Sequence, residues 1–138
     1  MFTPDATVQK WLEGFVQREK GIAGTVHRRE GDNLILVAAV NIPPPVVAIT
    51  ATVPKGKGMA GLALERRIPV QTCNLQTDKT GDVRPGAKAV NAQAAIAIPV
   101  VEKNGDVRAI VGLAFAHEQE LPVELIQKLT AATAGVPV

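Results

Sequence analysis

Apolar residues near the start of the chain recur at the spacing of a helix. Within residues 3–21 they occupy positions 8, 11, 12, 15 and 16, which lie on one helical face. Thr3 is the predicted N-cap, Pro4 the first helical residue and Gly21 the residue that stops the helix. The pattern therefore predicts an amphipathic helix that opens the fold.

Two apolar runs follow, over residues 22–30 and 34–40, and the turn "GDN" joins them as a hairpin. Residues 41–58 then read as a long connection, because prolines 43–45 exclude a central strand and a helix interior. A short helix over residues 59–67 and a strand over 68–73 are expected next.

The clearest local signal is a pair of apolar runs on either side of Asn104-Gly105, within residues 94–116. Asn-Gly is typical of a type I′ hairpin turn, which would set Lys103 opposite Asp106. Both runs are apolar on both faces, so both strands are expected inside a covered sheet. Pro99 cannot donate a ladder hydrogen bond, and we expect a bulge or a lost bond there.

The last periodic segment, residues 121–135, predicts a closing helix with proline at its start and glycine at its end. Before the late hairpin, residues 74–86 are a polar loop and residues 87–93 one or two helical turns. This order predicts an α+β fold with a central antiparallel sheet of five to six strands. Without a linker or repeat, residues 1–138 are expected to form a single domain.

Composition narrows the function classes. The chain has 138 residues, 46% of them hydrophobic, and a net charge of +2, which is too small to indicate nucleic-acid binding. We expect no signal peptide, because the first residues lack a basic region followed by an apolar run. No apolar run in the sequence approaches the ~20 residues that span a bilayer. The single cysteine, Cys73, excludes an internal disulfide and a cysteine zinc cage. We expect a cytoplasmic protein without metal, cofactor, membrane or nucleic-acid partner.

Gly56, Gly58 and Gly61 spell G-x-G-x-x-G, as in a dinucleotide-binding loop. That loop needs a strand before it and a long crossover helix after it within a parallel βαβ unit. Here the candidate helix is short, and the strand after it leads into a loop. A P-loop is excluded, because no Gly-Lys-Ser/Thr follows the glycines.

Several motifs in order resemble those of the GAF domain family, across about residues 5–134. They are a G-x-x-G that opens a helix, an x-P-V before a strand, a polar loop, a strand with x-P-V, a turn, and x-G-x-A in the next strand. In this chain they read "GKGMAGLALERRIPV", "TCNLQTDKTG", "AAIAIPVV", "EKNGD" and "AIVGLAFA".

The resemblance implies a GAF/PAS-like fold. Terminal helices would pack on one sheet face, and a loop and helix would cap a ligand pocket on the other. Gly58 and Gly61 would let the chain turn sharply and seat the short helix against the sheet. The implied function is a sensory or signalling module for an unknown small molecule.

Other functions known in this family are not supported by the residues. The Asn-Lys…Phe…Asp-Glu signature of cyclic-nucleotide domains is missing, and Cys73 has no neighbouring histidine to attach a bilin. Free methionine-R-sulfoxide reductases are similar in size but need a second cysteine, and Met59 stands where they place one. No nucleophile-base pair or paired carboxylates are found, so we expect no enzyme and no catalytic residue. His27 and His117 are expected to be packing or surface residues, not metal ligands.

Aromatic residues are scarce, and only Phe115 is placed to stack on a ligand, which favours a small, non-aromatic one. An excess of basic residues lies between positions 55 and 88. It supports the hypothesis of an anionic ligand, with Arg84 or Lys88 as counter-charge and the backbone N–H groups after Gly58 as donors. A solvated basic loop is the alternative. The expected ligand-binding residues are Gly58, Met59, Gly61, Cys73, Asp78, Arg84, Lys88 and Phe115.

The second function considered is a homodimerisation or protein-interaction module with a vestigial pocket. In GAF proteins the terminal helices lie together and pair between subunits. Trp11 and Phe15 of the first helix, with Leu125 and Leu129 of the last, are the expected dimer contacts. The alternative interpretation of these side chains is that they belong to the core of one chain.

Overall fold

The computed structural model describes residues 2–72 and 92–138, which form four helices and six strands. All pairings between strands are antiparallel. In chain order the elements are α1 Ala6–Arg18, β1 Ala23–Glu30, β2 Asn33–Val40, α2 Pro44–Thr50, β3 Thr52–Pro54, α3 Gly58–Arg66, β4 Val70–Thr72, β5 Ala95–Val101, β6 Val107–Ala114 and α4 Val123–Thr133.

The six strands form one sheet in the order β3-β2-β1-β6-β5-β4. The long strands β1 and β6 occupy its middle, and the three-residue strands β3 and β4 form its edges. The predicted α+β fold with an antiparallel sheet is therefore confirmed. Within the described residues, no helix has both the length and the apolar character that a membrane span requires.

Alternation along the strands gives the sheet two different faces. One face packs against α1 and α4, and its cluster includes Leu12, Phe15, Ile98 and Leu129. The opposite face packs against α2 and α3 and contains many small side chains. The terminal helices thus share one face, as expected, and the two inner helices cover the other.

The start and end of α1 differ from the prediction. The N-cap is Asp5, not Thr3, and its carboxylate accepts hydrogen bonds from the Thr7 and Val8 N–H groups at 3.0 and 3.1 Å. Pro4 precedes the cap. At the other end the left-handed residue is Lys20, with φ 61°, and Gly21 follows it.

Helix α2 was not predicted, because prolines 43–45 led residues 41–58 to be interpreted as a connection. The prolines exclude a helix interior only, since the first turn has no use for the missing N–H groups. Pro44 and Pro45 lie in that first turn, and the Pro43 carbonyl accepts from the N–H groups of Val46 and Val47. The connection 41–58 therefore contains a helix and the edge strand β3.

The late hairpin was predicted correctly, but the prediction of a type I′ turn was wrong. Only Gly105 has a positive φ, of 89°, whereas a type I′ turn needs two such residues. The pair that closes the turn is Glu102 with Asp106, around a three-residue loop. The residue across the turn from Asp106 is therefore Glu102, not Lys103. The Asn104 side-chain amide donates a hydrogen bond to the Asp106 carboxylate at 3.1 Å.

The irregularity expected at Pro99 lies next to it. Pro99 is paired with Ile110 of β6, and the register shifts between Val100 and Val101. On the other side β4 pairs only with residues 95–97 of β5. Pro99 thus lies beyond the described β4 ladder, which is where a residue without an N–H is tolerated. The predicted loop 74–86 and most of the predicted turn 87–93 lie outside the described residues.

Candidate functional site

A cavity of about 160 Å³ lies on the face of the sheet that carries α2 and α3. Strands β1, β5 and β6 form its floor, and α2 with the first turn of α3 forms its roof. Small residues line much of the floor. They are Ala23, Thr25, Ala95, Ala97, Gly112 and Ala114, and the larger His27 and Ile110 lie beside them.

Small residues on the floor leave room that larger side chains would fill. Thr25, Gly112 and Ala97 lie side by side across the three strands. A Cβ atom at Gly112 would be 2.6 Å from the Thr25 hydroxyl oxygen, so that glycine makes space for the threonine. The cavity therefore results from the combined small volume of neighbouring residues on the three floor strands.

The three glycines of the G-x-G-x-x-G motif build the approach to α3. Gly56 and Gly58 have φ values of 85° and 64°, which other residues rarely adopt. Gly61 has no room for a side chain, because its Cβ would overlap the carbonyl oxygen of Pro54. Its own carbonyl accepts the Gly56 N–H at 2.8 Å. The motif therefore bends the chain and seats a helix, as expected for Gly58 and Gly61.

The roof of the cavity is apolar. From α2 and the residues before it come Ile42, Val46 and Ile49, and from α3 comes Met59. Ile49 is half exposed, although it lies at the cavity.

His27 of β1 is the buried polar residue at this cavity, and only 3% of its surface is exposed. Its Nε2 lies 2.8 Å from the carbonyl oxygen of Thr50, the last residue of α2. Its Nδ1 is buried without a hydrogen-bond partner among the described residues. Burial lowers the pKa of His27 below 6.5, and the bond to Thr50 opposes that shift.

The predicted ligand-binding residues fall into three groups. Gly58 and Met59 line the cavity, and Gly61 lies three residues beyond Gly58 in the same helix. Phe115 packs with the terminal helices and does not line the cavity, so its expected stacking role is not supported here. The rest lie outside the described residues; they are Cys73, Asp78, Arg84 and Lys88.

The predicted dimer contacts divide in the same way. Phe15 and Leu129 are 0% exposed within the single chain, so neither offers surface to a partner. This corrects the expectation that they are interface residues. Trp11 and Leu125 are only partly buried, and the Trp11 ring stacks on Phe15 with centroids 4.9 Å apart.

His27 was underestimated by the sequence interpretation. Packing was predicted correctly, but its place at a cavity was not. The signal was present in β1, where Ala23, Thr25 and His27 alternate toward one face. Its hydrogen bond to Thr50 could not be predicted, because α2 itself was not predicted. Over residues 2–72 and 92–138, no three side chains of the metal-binding types come together.

A family model described as "GAF domain" matches residues 3–136. The chain belongs to the GAF domain family. No match was found among curated protein sequences.

Solved structures of low sequence identity share the GAF fold. Type II free methionine-R-sulfoxide reductase from Thermoplasma acidophilum superposes with a TM-score of 0.73 at 15% identity, over 91% of this chain and 84% of that one. The GAF domain/HD domain protein from Geobacter sulfurreducens superposes with a TM-score of 0.70 at 11% identity, over 94% of this chain and 88% of that one. The nlh2 GAF domain of A. aeolicus in an inactive state superposes with a TM-score of 0.67 at 17% identity, over 97% of this chain and 80% of that one. This fold therefore occurs both in a methionine sulfoxide reductase and in proteins described by their GAF domains.

Proposed function

We propose that this GAF domain binds a small molecule between the sheet and helices α2 and α3, and acts as a sensory module. The observation that carries the proposal is the cavity itself, whose floor combines alanine and glycine with a buried histidine. Protein cores are normally filled to the density of organic crystals, so a cavity of this kind is typical of a binding site.

The size and lining of the cavity restrict the ligand. An engineered protein cavity of about 150 Å³ holds benzene, which indicates a ligand of roughly six to eight non-hydrogen atoms here. Apart from His27, the ionisable side chain among the described lining residues is Lys57. The lining favours a mostly apolar ligand. An anion held by Arg84 or Lys88 stays a prediction, since neither residue is described.

Binding without catalysis is the activity we infer. The chain has one cysteine, so it has no second thiol of its own to resolve the intermediate that forms when a thiolate reduces a sulfoxide. The test is an assay of free methionine-R-sulfoxide with the reduced protein, first alone and then with a dithiol reductant that could resolve an intermediate on Cys73. We expect no turnover above buffer, and turnover that disappears in Cys73→Ser would establish an enzyme instead.

A thermal-shift screen tests the binding proposal. The panel contains small alcohols and ketones, amino acids, methionine sulfoxide, 2-oxo acids and cyclic nucleotides. A ligand at 100 times its dissociation constant stabilises a fold by ~2.7 kcal/mol, which is a rise of several degrees.

The matched control for that screen is Ala95→Leu, which places three more carbon atoms over the cavity floor. A ligand of the cavity stabilises the wild type and leaves Ala95→Leu unchanged. Equal shifts in both proteins would place the ligand elsewhere, and a panel without any stabilising compound would count against the proposal.

Association through the terminal helices is a second candidate function. Trp11 of α1 and Leu125 of α4 are incompletely buried on the sheet face away from the cavity. We expect a homodimer, with Trp11→Ala shifting sedimentation toward the monomer while the fold is retained. Ile68→Ala is the control, because Ile68 is 57% exposed just after α3. A wild-type protein that sediments as a monomer at high concentration would exclude this candidate.

A further inference from the structure

His27 lines the cavity, connects the sheet to α2 through Nε2 and holds Nδ1 buried without a hydrogen-bond partner among the described residues. We propose that the ligand of this cavity carries a hydrogen-bond donor, an O–H or N–H group, which the Nδ1 atom of His27 accepts, on an otherwise apolar body. The inference rests on the proposed function, because it assumes that the cavity is a binding site. It adds which polar group the ligand must present.

The hydrogen bond to α2 determines the tautomer of His27. The partner of Nε2 is a backbone carbonyl oxygen at 2.8 Å, which can accept but cannot donate. Nε2 must therefore carry the hydrogen. In a neutral imidazole the other nitrogen then has a lone pair and no hydrogen, so Nδ1 is an acceptor.

Burial keeps the ring neutral and makes the unpaired acceptor costly. Removing His27 from water disfavours its charged form, which lowers its pKa. The Nδ1 atom meets no donor among the described residues, although nearly all buried polar side-chain atoms in proteins have a partner. A ligand with a donor satisfies this atom. A ligand that has only acceptors, or no polar group, leaves it unpaired.

Specificity follows from that difference. A site built to pair with one polar group rejects analogues that lack it, because its own buried group then stays unpaired. The apolar floor and roof contribute affinity for the ligand's carbon skeleton without distinguishing such analogues. His27 is therefore the residue expected to select among molecules of similar shape.

Two isomeric probes isolate the donor. Cyclohexanol and cyclopentyl methyl ether have the same atoms and seven non-hydrogen atoms each, but only the alcohol carries an O–H group. Their affinities for the whole protein are measured by calorimetry or by protein-observed NMR titration. We expect the alcohol to bind about five- to tenfold more tightly, which corresponds to one net hydrogen bond.

His27→Gln is the variant that tests the residue. The glutamine amide can reach the position of Nε2 and still donate to the Thr50 carbonyl, but it places no acceptor where Nδ1 stood. We expect the alcohol and the ether to bind this variant within twofold of each other, with the ether affinity close to that for the wild type. His117→Gln is the control, since His117 is exposed, and its preference for the alcohol should persist.

A spectroscopic measurement on the wild type does not depend on any variant folding. Long-range ¹H–¹⁵N correlation spectra distinguish a protonated from an unprotonated ring nitrogen. We expect Nδ1 of His27 to be unprotonated in the empty protein and its resonance to move with cyclohexanol but not with the ether. A protonated Nδ1 in the neutral ring would overturn the inference.

The outcomes separate this inference from the proposed function. Equal affinity for the two isomers at the cavity overturns the inference alone, because binding itself is then observed. If neither isomer binds but a compound of the screen does, that compound must move the Nδ1 resonance, and an unmoved resonance overturns the inference. If nothing binds, the proposed function fails as well.

Discussion

At the scale of single residues, His27 makes the stability of the fold depend on pH. Its pKa is lowered in the folded protein, so the unfolded chain binds a proton more readily than the folded one. Well above pH 6.5 the ring is neutral in both states, and its titration does not change the free energy of unfolding. As the pH falls through 6.5 toward the folded-state pKa, this free energy decreases, by at most about 1.4 kcal/mol per pH unit.

Denaturant unfolding at a series of pH values from 8 to 5 measures this contribution. Relative to the wild type, His27→Gln should lose the part of the acid destabilisation that belongs to one proton, and His117→Gln should keep it. Lys57 is the other ionisable group among the described cavity residues. Parallel pH profiles for the wild type and His27→Gln would show that His27 is not buried as described.

Gly61 is a second residue whose effect can be measured. Its Cβ would overlap the backbone oxygen of Pro54, and backbone cannot move aside as a flexible side chain can. We expect Gly61→Ala to lower the free energy of unfolding by about 1–3 kcal/mol.

Gly135→Ala is the matched control for this substitution, because nothing lies within 4 Å of the added methyl group. It should change the stability by no more than about 0.5 kcal/mol. If the two substitutions have equal effects in denaturant unfolding, the close approach at Gly61 is refuted.

At the scale of elements, alanine substitution of the observed N-cap and of the predicted N-cap of α1 tests which residue caps the helix. Asp5→Ala removes an acceptor for two N–H groups and should cost about 1 kcal/mol. Thr3→Ala changes an exposed residue outside the helix and should stay within about 0.5 kcal/mol. A larger loss from Thr3→Ala than from Asp5→Ala in thermal unfolding would restore the sequence prediction.

Most elements could be predicted because their signals are local. The apolar face of α1 and the two apolar strands around Asn104-Gly105 are visible within short windows. Boundaries and turn types were less reliable, since Asp5 competes with Thr3 as a cap and Lys20 adopts the conformation expected of Gly21. Helix α2 was missed because prolines 43–45 exclude only a central strand and a helix interior, and their place before and within a first helical turn was not considered.

At the scale of the molecule, the two faces of the sheet should respond oppositely to the same substitution. Ala95→Leu adds carbon atoms at the cavity, and cavity filling commonly gains about 0.5–2 kcal/mol. Ala109→Leu adds them on the face covered by the terminal helices, where Ala109 is 0% exposed and already packed. Overpacking there should cost about 1–3 kcal/mol.

Chemical denaturation of both leucine variants measures the contrast. The two residues lie on strands that pair with each other, so differences of secondary structure are small. Destabilisation by both substitutions to the same extent would mean that the cavity face is as tightly packed as the other one.

The candidate site could be predicted only in part from the sequence. The G-x-G-x-x-G glycines at the start of α3 indicated one side of the cavity, because their spacing is a local feature of the sequence. The cavity itself depends on residues far apart in the chain, such as Thr25 and Ala97, which become neighbours only through the sheet. His27 and Thr50 are separated by 23 positions, and no local pattern connects them.

The bond between His27 and Thr50 also links the cavity to the surface. The two nitrogens of an imidazole share one electron system, so a hydrogen bond accepted at Nδ1 makes the Nε2–H group a stronger donor. A ligand that donates to Nδ1, as proposed, would therefore strengthen the bond from β1 to Thr50, the last residue of α2. The neighbouring Ile49 side chain of α2 is half exposed. On that proposal, exchanging a donor ligand for one without a donor would change this bond, and its effect would reach the exposed side of α2 through one imidazole ring.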